Sequence, residues 1–307
     1  NDRFLALVSN YGYVKIRQDE GGAKFLNDFD PENGQYGGGF GYFTDGKNTV
    51  TTFYQSQPDF TRIFGCGYYE KNVNTDQYTV NQTVFAPFGD DPVLISKVTI
   101  SNHSTRSVKG KWYEFWGNDV YQLTPRPLKA AQLKHFPLDT MYWFRKEFSR
   151  NFKHIYTVKD GTAKVDYRFT GYHYPDGSGR CPSIQEYNEI VKPEVGDRDN
   201  YEDLRVPSMF VRSLNAKEDT TALFSIEDLI GSGTLADPAF DGENGLKDAL
   251  ILQTEIELEP WQTKELYYLV GYLPNDHKED LLTYKYDRYY PQAFEDTMCS
   301  WSRNLTT

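Results

Sequence analysis

Up to about residue 270, apolar and polar positions alternate or run in short β-branched blocks, the pattern of strands. Thr79-Val80-Asn81-Gln82-Thr83-Val84-Phe85 is β-branched and bounded by polar residues. Val93 to Ile100 alternates from Ile95 on and stops at Ser101-Asn102. Lys111-Trp112-Tyr113-Glu114-Phe115-Trp116 places Trp112, Glu114 and Trp116 on one face and Tyr113 and Phe115 on the other. Further strands are predicted at Phe4–Val8, Thr49–Tyr54, Lys164–Thr170, Arg205–Val211, Thr220–Ile226, Leu250–Leu258 and Lys264–Val270. Asp45-Gly46 and Asp160-Gly161 are turn dipeptides between strand pairs. Many strands with few helices between them predict a mainly β chain, a large antiparallel two-sheet sandwich and not a doubly wound parallel sheet.

Two stretches break the pattern. Residues 172–204 carry Pro175, Gly177, Gly179, Pro182, Pro193 and Gly196 among many charges, which predicts a long loop or an excursion from a sheet. The C-terminal end turns helical. Asp276 and Glu279 form a possible cap, Leu282, Tyr286 and Tyr289 follow at helical spacing, and Pro291 interrupts. Phe294, Met298, Trp301 and Leu305 then make a second apolar stripe. The division expected is a sandwich over 1–272 and a helical linker over 273–307. The stripes pack either on the sandwich or partly against another domain.

Composition narrows the function. The net charge is −11, with 33 basic residues against 44 acidic ones. That balance disfavours a nucleic-acid partner or an anionic membrane surface. No apolar run is long enough to span a bilayer. Three cysteines, Cys66, Cys181 and Cys299, are odd in number and far apart, which suits reduced thiols in a cytoplasmic protein. Asn81-Gln82-Thr83 and Asn102-His103-Ser104 match a glycosylation pattern that is common by chance. Aromatics make up 16% of the chain. They favour strands first, and they also suit sugar rings.

No nucleophile elbow or P-loop is present. Gly37-Gly38-Gly39-Phe40-Gly41 lacks the following Lys-Ser or Lys-Thr and reads as a bend or bulge beside a strand. The five histidines, His103, His135, His154, His173 and His277, have no metal-ligand spacing and read as surface or hydrogen-bonded residues. No catalytic residue and no metal site is assigned. Trp112, Glu114 and Trp116 are the candidate carbohydrate contacts. Glu114 reads either as a polar contact between aromatic platforms or, more commonly, as a satisfied half-buried carboxylate in a strand. Glu227-Asp228 is a second candidate of the same kind.

The order of motifs resembles the N-terminal domain of glycoside hydrolase family 94, the family of cellobiose phosphorylase, β-1,2-oligoglucan phosphorylase and the phosphorylase-like region of cyclic β-1,2-glucan synthases. The segments that carry the resemblance are Gly34 to Phe43 with Thr51-Thr52-Phe53-Tyr54, Gly65-Cys66-Gly67-Tyr68, and Val84-Phe85-Ala86-Pro87 with Asp91-Pro92-Val93 and Val98 to Asn102. They continue with Trp112 to Gly117, Phe224 to Pro238, Ala249 to Gln253, Leu258-Glu259-Pro260 and Leu269-Val270-Gly271-Tyr272, then Trp301 and Leu305 in the place of the linker helix. Residues 125–205 contribute least. The chain departs from the family at Trp261, where Gly is common. The arginine-rich run and the tryptophan-serine-proline element are also missing between Phe43 and Phe60.

The resemblance implies a galactose mutarotase-like β-supersandwich that braces an (α/α)6 catalytic barrel lying beyond Thr307. The family reaction converts a β-glucoside and phosphate to α-glucose 1-phosphate by one inverting displacement, with a single Asp as general acid. It uses inorganic phosphate as co-substrate and no cofactor. The partners implied are the catalytic domain, a β-glucan oligosaccharide and, in some members, a second copy of the chain. The chain alone is then expected to be inactive. Two alternatives stay open: a free-standing carbohydrate-binding module, and a mutarotase-like sugar epimerase, against which the scarcity of histidine counts.

Overall fold

The computed structural model describes residues 3–18, 24–53, 59–122, 148–170, 206–231, 246–274 and 286–305. Nineteen strands appear among them. The first nine are β1 (Phe4–Val8), β2 (Val14–Gln18), β3 (Lys24–Phe25), β4 (Phe29–Asp30), β5 (Gln35–Tyr36), β6 (Gly38–Thr44), β7 (Thr49–Thr51), β8 (Phe60–Gly65) and β9 (Tyr68–Asn74). There follow β10 (Tyr78–Phe85), β11 (Val93–Asn102), β12 (Val108–Gly117), β13 (Tyr121–Gln122), β14 (Phe152–Lys159), β15 (Thr162–Phe169), β16 (Ser208–Ser213), β17 (Thr220–Ser225), β18 (Asp248–Leu258) and β19 (Thr263–Leu273). Two α-helices are described, α1 (Ile226–Gly231) and α2 (Ala293–Leu305).

An eight-stranded sheet, β14-β15-β16-β19-β11-β10-β9-β8, faces a five-stranded sheet, β17-β18-β12-β6-β7. A four-stranded sheet, β1-β2-β3-β13, flanks them, and β4 pairs with β5. The two large sheets are antiparallel throughout and form the expected two-sheet supersandwich. The alternation along each strand decides the layers. Val80, Val84, Leu94, Val98 and Ile100 meet Trp112, Trp116, Leu250 and Leu252 between the sheets. The opposite face of the five-stranded sheet carries a second cluster, with Phe40, Tyr42, Tyr113, Phe115 and Ile251 under Ile226 and Leu229 of α1. A third cluster, with Phe85, Val93, Ile95, Phe210, Tyr267 and Leu269, lies outside the eight-stranded sheet beneath Tyr286 and Ala293. Each such fully buried side chain contributes about 1.5–3 kcal/mol.

The glycine-rich run is strand and bulge at once. Gly38–Thr44 is the wholly buried strand β6. Its register against β12 slips between Phe115 and Trp116, leaving Gly39 as the extra residue with φ 69°. A Cβ at Gly41 would stand 2.1 Å from Cζ2 of Trp112 and 2.5 Å from the Tyr113 carbonyl oxygen. Glycine is therefore what lets the two strands close over the tryptophan.

The C-terminal segment is fastened to the eight-stranded sheet. Asp287 accepts from Arg212 Nε at 3.1 Å and from Lys217 Nζ at 2.7 Å, and Arg288 reaches Asp91 at 2.6 Å. Phe294 packs edge-on against Phe85 and Tyr68, and Trp301 edge-on against Phe88. The second apolar stripe expected from the sequence thus forms α2. Of the first expected helix, residues 275–285 lie outside the described residues, and Asp287–Tyr289 form a single 3-10 turn. The excursion expected over 172–204 also lies outside them. No helix is long and apolar enough to cross a membrane among the described residues.

Candidate functional site

Trp112, Glu114 and Trp116 are not at the surface. All three have zero exposure and lie between the sheets, so none can meet a sugar. This corrects their assignment as carbohydrate contacts. Both faces of β12 are covered, and the inward face is the one that carries them. Trp112 Nε1 donates to Glu114 Oε2 at 3.1 Å and Trp116 Nε1 to Oε1 at 2.9 Å. Gln82 Nε2 bridges both carboxyl oxygens and Ser96 Oγ, while its Oε1 accepts from Thr52. Lys71, equally buried, donates to the carbonyls of Gly12 and Gly39. Burial pushes the Glu114 carboxyl up and the Lys71 amine down. The constellation is a polar bolt across the core, holding both sheets and the Gly12 and Gly39 backbone in register.

The groups that face solvent together lie elsewhere. A cleft of about 430 Å³ opens at one end of the sandwich, lined by Gln35, Asp119, Ser149, Phe152, His154 and Asp248 among others. Asp119 follows β12 directly. Ser149 lies on the 3-10 turn Phe148–Asn151, which is wedged in place by Phe148 and Phe152 at 5.2 Å between rings. His154 and Tyr156 share one face of β14, two residues apart. Asp248 opens β18.

A continuous hydrogen-bond chain joins them. Gln35 Nε2 donates to Asp119 Oδ2 at 3.2 Å, and Ser149 Oγ donates to Oδ1 at 2.9 Å. Ser149 Oγ stands 3.1 Å from His154 Nε2, and Tyr156 OH 3.3 Å from His154 Nδ1. Tyr156 OH donates to Asp248 Oδ2 at 2.9 Å and accepts from Asn118 Nδ2 at 3.0 Å. Because both hydroxyl protons go to carboxylates, the His154 nitrogens face oxygen lone pairs. A neutral ring protonated at Nε2 satisfies Ser149 and leaves Nδ1 free to take a proton; the imidazolium would satisfy both. Burial holds the His154 pKa below its ordinary value, opposed by Asp119 and Asp248 and helped by Lys247. The phenol of Tyr156 is pushed well up by burial and stays protonated. The cleft therefore presents a histidine ring and two carboxylates, with Arg150 and Lys247 on its rim, and its size is that of a ligand pocket.

No family model matches the sequence, and no curated protein matches it. Among solved structures, a polysaccharide lyase is similar at 10% identity and TM-score 0.46, over 91% of this chain and 34% of that one. A protein assigned as a kojibiose phosphorylase, from the human microbiome, is similar at 10% identity and TM-score 0.41, over 100% of this chain and 29% of that one. A third, assigned as an aldose 1-epimerase from Escherichia coli K12, gives 11% identity and TM-score 0.35, over 88% of this chain and 100% of that one. The chain thus spans about a third of the length of the first two. At these values no residue's role passes from those proteins to this chain.

The remaining candidates resolve simply. Glu227 and Asp228 are exposed in the first turn of α1, where Ser225 Oγ accepts from both backbone amides. Their charges suit a helix start and face no cleft. Both asparagines of the glycosylation patterns lie in strands with their amides engaged, Asn81 to Glu70 and Asn102 to three carbonyls. His135, His173 and His277 lie outside the described residues, as does Cys181. Cys66 and Cys299 are free and exposed. The spacing Phe152-x-His154-x-Tyr156 was the one local sign of the cleft, a polar-aromatic face on a short strand.

Proposed function

We propose that the chain is the N-terminal, non-catalytic β-supersandwich domain of an inverting glycoside phosphorylase. It braces the catalytic domain and presents its cleft to a β-glucan oligosaccharide. The observation that carries this reading is how the resembling segments interlock. Gly38, Gly39 and Gly41 sit against Trp112 and Trp116, which are tied together by Glu114. The glycine-rich and aromatic motifs are two halves of one packing unit, so they serve architecture, not chemistry. A saccharide ligand in the cleft would meet the carboxylates of Asp119 and Asp248 and the donors of Arg150 and Lys247. The exposed thiols of Cys66 and Cys299 fit a reducing, cytoplasmic setting. The test is to incubate the chain with cellobiose or sophorose and phosphate and to assay glucose 1-phosphate. None is expected from the chain alone, and release by it would overturn the reading.

One observation favours a second reading, a mutarotase-like sugar epimerase. The structure brings His154 between Asp119 and Asp248 in an open cleft, which the scarcity of histidine had counted against. Polarimetry of α-glucose separates the two: faster anomer interconversion that vanishes in His154→Gln supports the epimerase.

A further inference from the structure

The hairpin between β18 and β19 carries a residue that folding does not call for. In Glu259-Pro260-Trp261-Gln262 the Gln262 amide donates to the Glu259 carbonyl at 3.0 Å. Pro260 takes the second position, and Trp261 takes the third with φ 62°. That backbone favours glycine, because a Cβ there crowds the following carbonyl. Nor does burial compensate. Trp261 is 67% exposed, more than any other large hydrophobic residue described. The ring is held at a strained position with nothing gained for the fold, which points to use in binding.

The turn beneath it is rigid. Asn102 Nδ2 donates to the carbonyls of Leu258 and Glu259, and the Asn102 amide donates to the Gln262 carbonyl at 2.9 Å. Gln262 Oε1 accepts from the Glu259 amide at 2.8 Å, and Ser107 occupies the Glu259 carboxylate at 2.6 Å. His103 lies beside the indole, with 6.4 Å between ring centroids. Its Nε2 is 2.7 Å from Thr79 Oγ1, and the Ser101 and Thr263 hydroxyls pair at 2.8 Å. An indole face beside hydroxyl, amide and imidazole groups matches a pyranose ring, which has apolar C–H faces and a hydroxyl rim.

We propose that Trp261 and His103 form a stacking platform for a neutral saccharide, a site separate from the cleft. The cleft's Asp248 begins β18 and the Trp261 turn follows its end, eleven residues on. At a strand's rise these lie roughly 35 Å apart, at opposite ends of the sandwich.

Calorimetric titration with cellotetraose and with a β-1,2-linked glucotetraose tests this in the wild type, Trp261→Gly, His103→Ala and His154→Gln. At least one sugar should bind and shield Trp261 from acrylamide quenching. Trp261→Gly should weaken that binding about tenfold, the loss from uncovering roughly 60 Å² of apolar face. Its urea midpoint should not fall, since glycine relieves the turn. His103→Ala should weaken binding less, and His154→Gln should leave this site intact, which separates it from the cleft. Unchanged affinity in Trp261→Gly would overturn the proposal. So would failure of both sugars to bind, or sedimentation showing that the wild type dimerises through Trp261.

Discussion

Glu114 is where an architectural role and a sugar-contact role predict opposite results. Replacing it with alanine leaves the Trp112 and Trp116 indoles, now bonded at 3.1 and 2.9 Å, without an acceptor at zero exposure. Gln82 Nε2 keeps Ser96 at 2.9 Å and suffers less. Each orphaned buried donor costs about 1–3 kcal/mol, so the two indoles together cost about 2–6 kcal/mol before any cavity is counted. Against a total stability of about 5–15 kcal/mol, that is a large fraction. Glu114→Gln should fall between, since one amide oxygen can serve one indole while its NH2 opposes the other. Urea unfolding followed by far-UV circular dichroism and tryptophan emission measures the series. The charge adds a pH signature. Burial raises the carboxyl pKa above 4.5, so the native state keeps a proton that the unfolded chain releases. Wild-type stability should therefore decline, relative to Glu114→Gln, as pH rises from about 4.5 through the elevated native value. A Glu114→Ala protein within about 1 kcal/mol of wild type would refute the architectural role.

Other outcomes follow from the same structure. Gly41→Ala should destabilise by about 3 kcal/mol or more, because the Tyr113 carbonyl and the Trp112 ring cannot both move. Gly46→Ala, with nothing within 4 Å, should show only the smaller cost of its positive φ. Asp287→Asn removes the counter-charge of Arg212, whose side chain is 3% exposed, and should cost about 1–3 kcal/mol in thermal or urea unfolding. The His154 ring, followed by NMR, should titrate below 6.5. Its folded pKa is depressed, so its contribution to stability is present above 6.5 and is lost as pH falls through the folded value; His154→Gln should flatten that acid limb.

The strands that the sequence announces most clearly are those with a regular or unbroken apolar pattern. β10, β11, β12, β18 and β19 alternate cleanly or bury both faces, and each forms where the periodicity puts it. β9 escapes because Lys71 occupies an inward position, which only the Gly12 and Gly39 carbonyls make tolerable. β14 escapes because it is an edge strand that exposes Ile155 and Val158 while turning His154 and Tyr156 toward the cleft. The faces of β12 were legible, but their surroundings were not. Periodicity places Trp112, Glu114 and Trp116 together, and only the second sheet decides that the space in front of them is filled. The cleft was illegible for a related reason. Gln35, Asp119, the Ser149–His154 stretch and Asp248 come from four separate segments, brought together by sheet order and not by spacing.

In the proposed function, this sandwich holds a saccharide in its cleft and leaves bond-breaking to another domain. Calorimetric titration of a β-1,2-linked gluco-oligosaccharide into Trp261→Gly, with and without an added Asp119→Asn or His154→Gln change, tests it most directly. Binding is expected in Trp261→Gly, and the added cleft change should weaken it about tenfold, the worth of one or two lost polar contacts. Equal affinity with and without the cleft change, or no binding in Trp261→Gly, would contradict it.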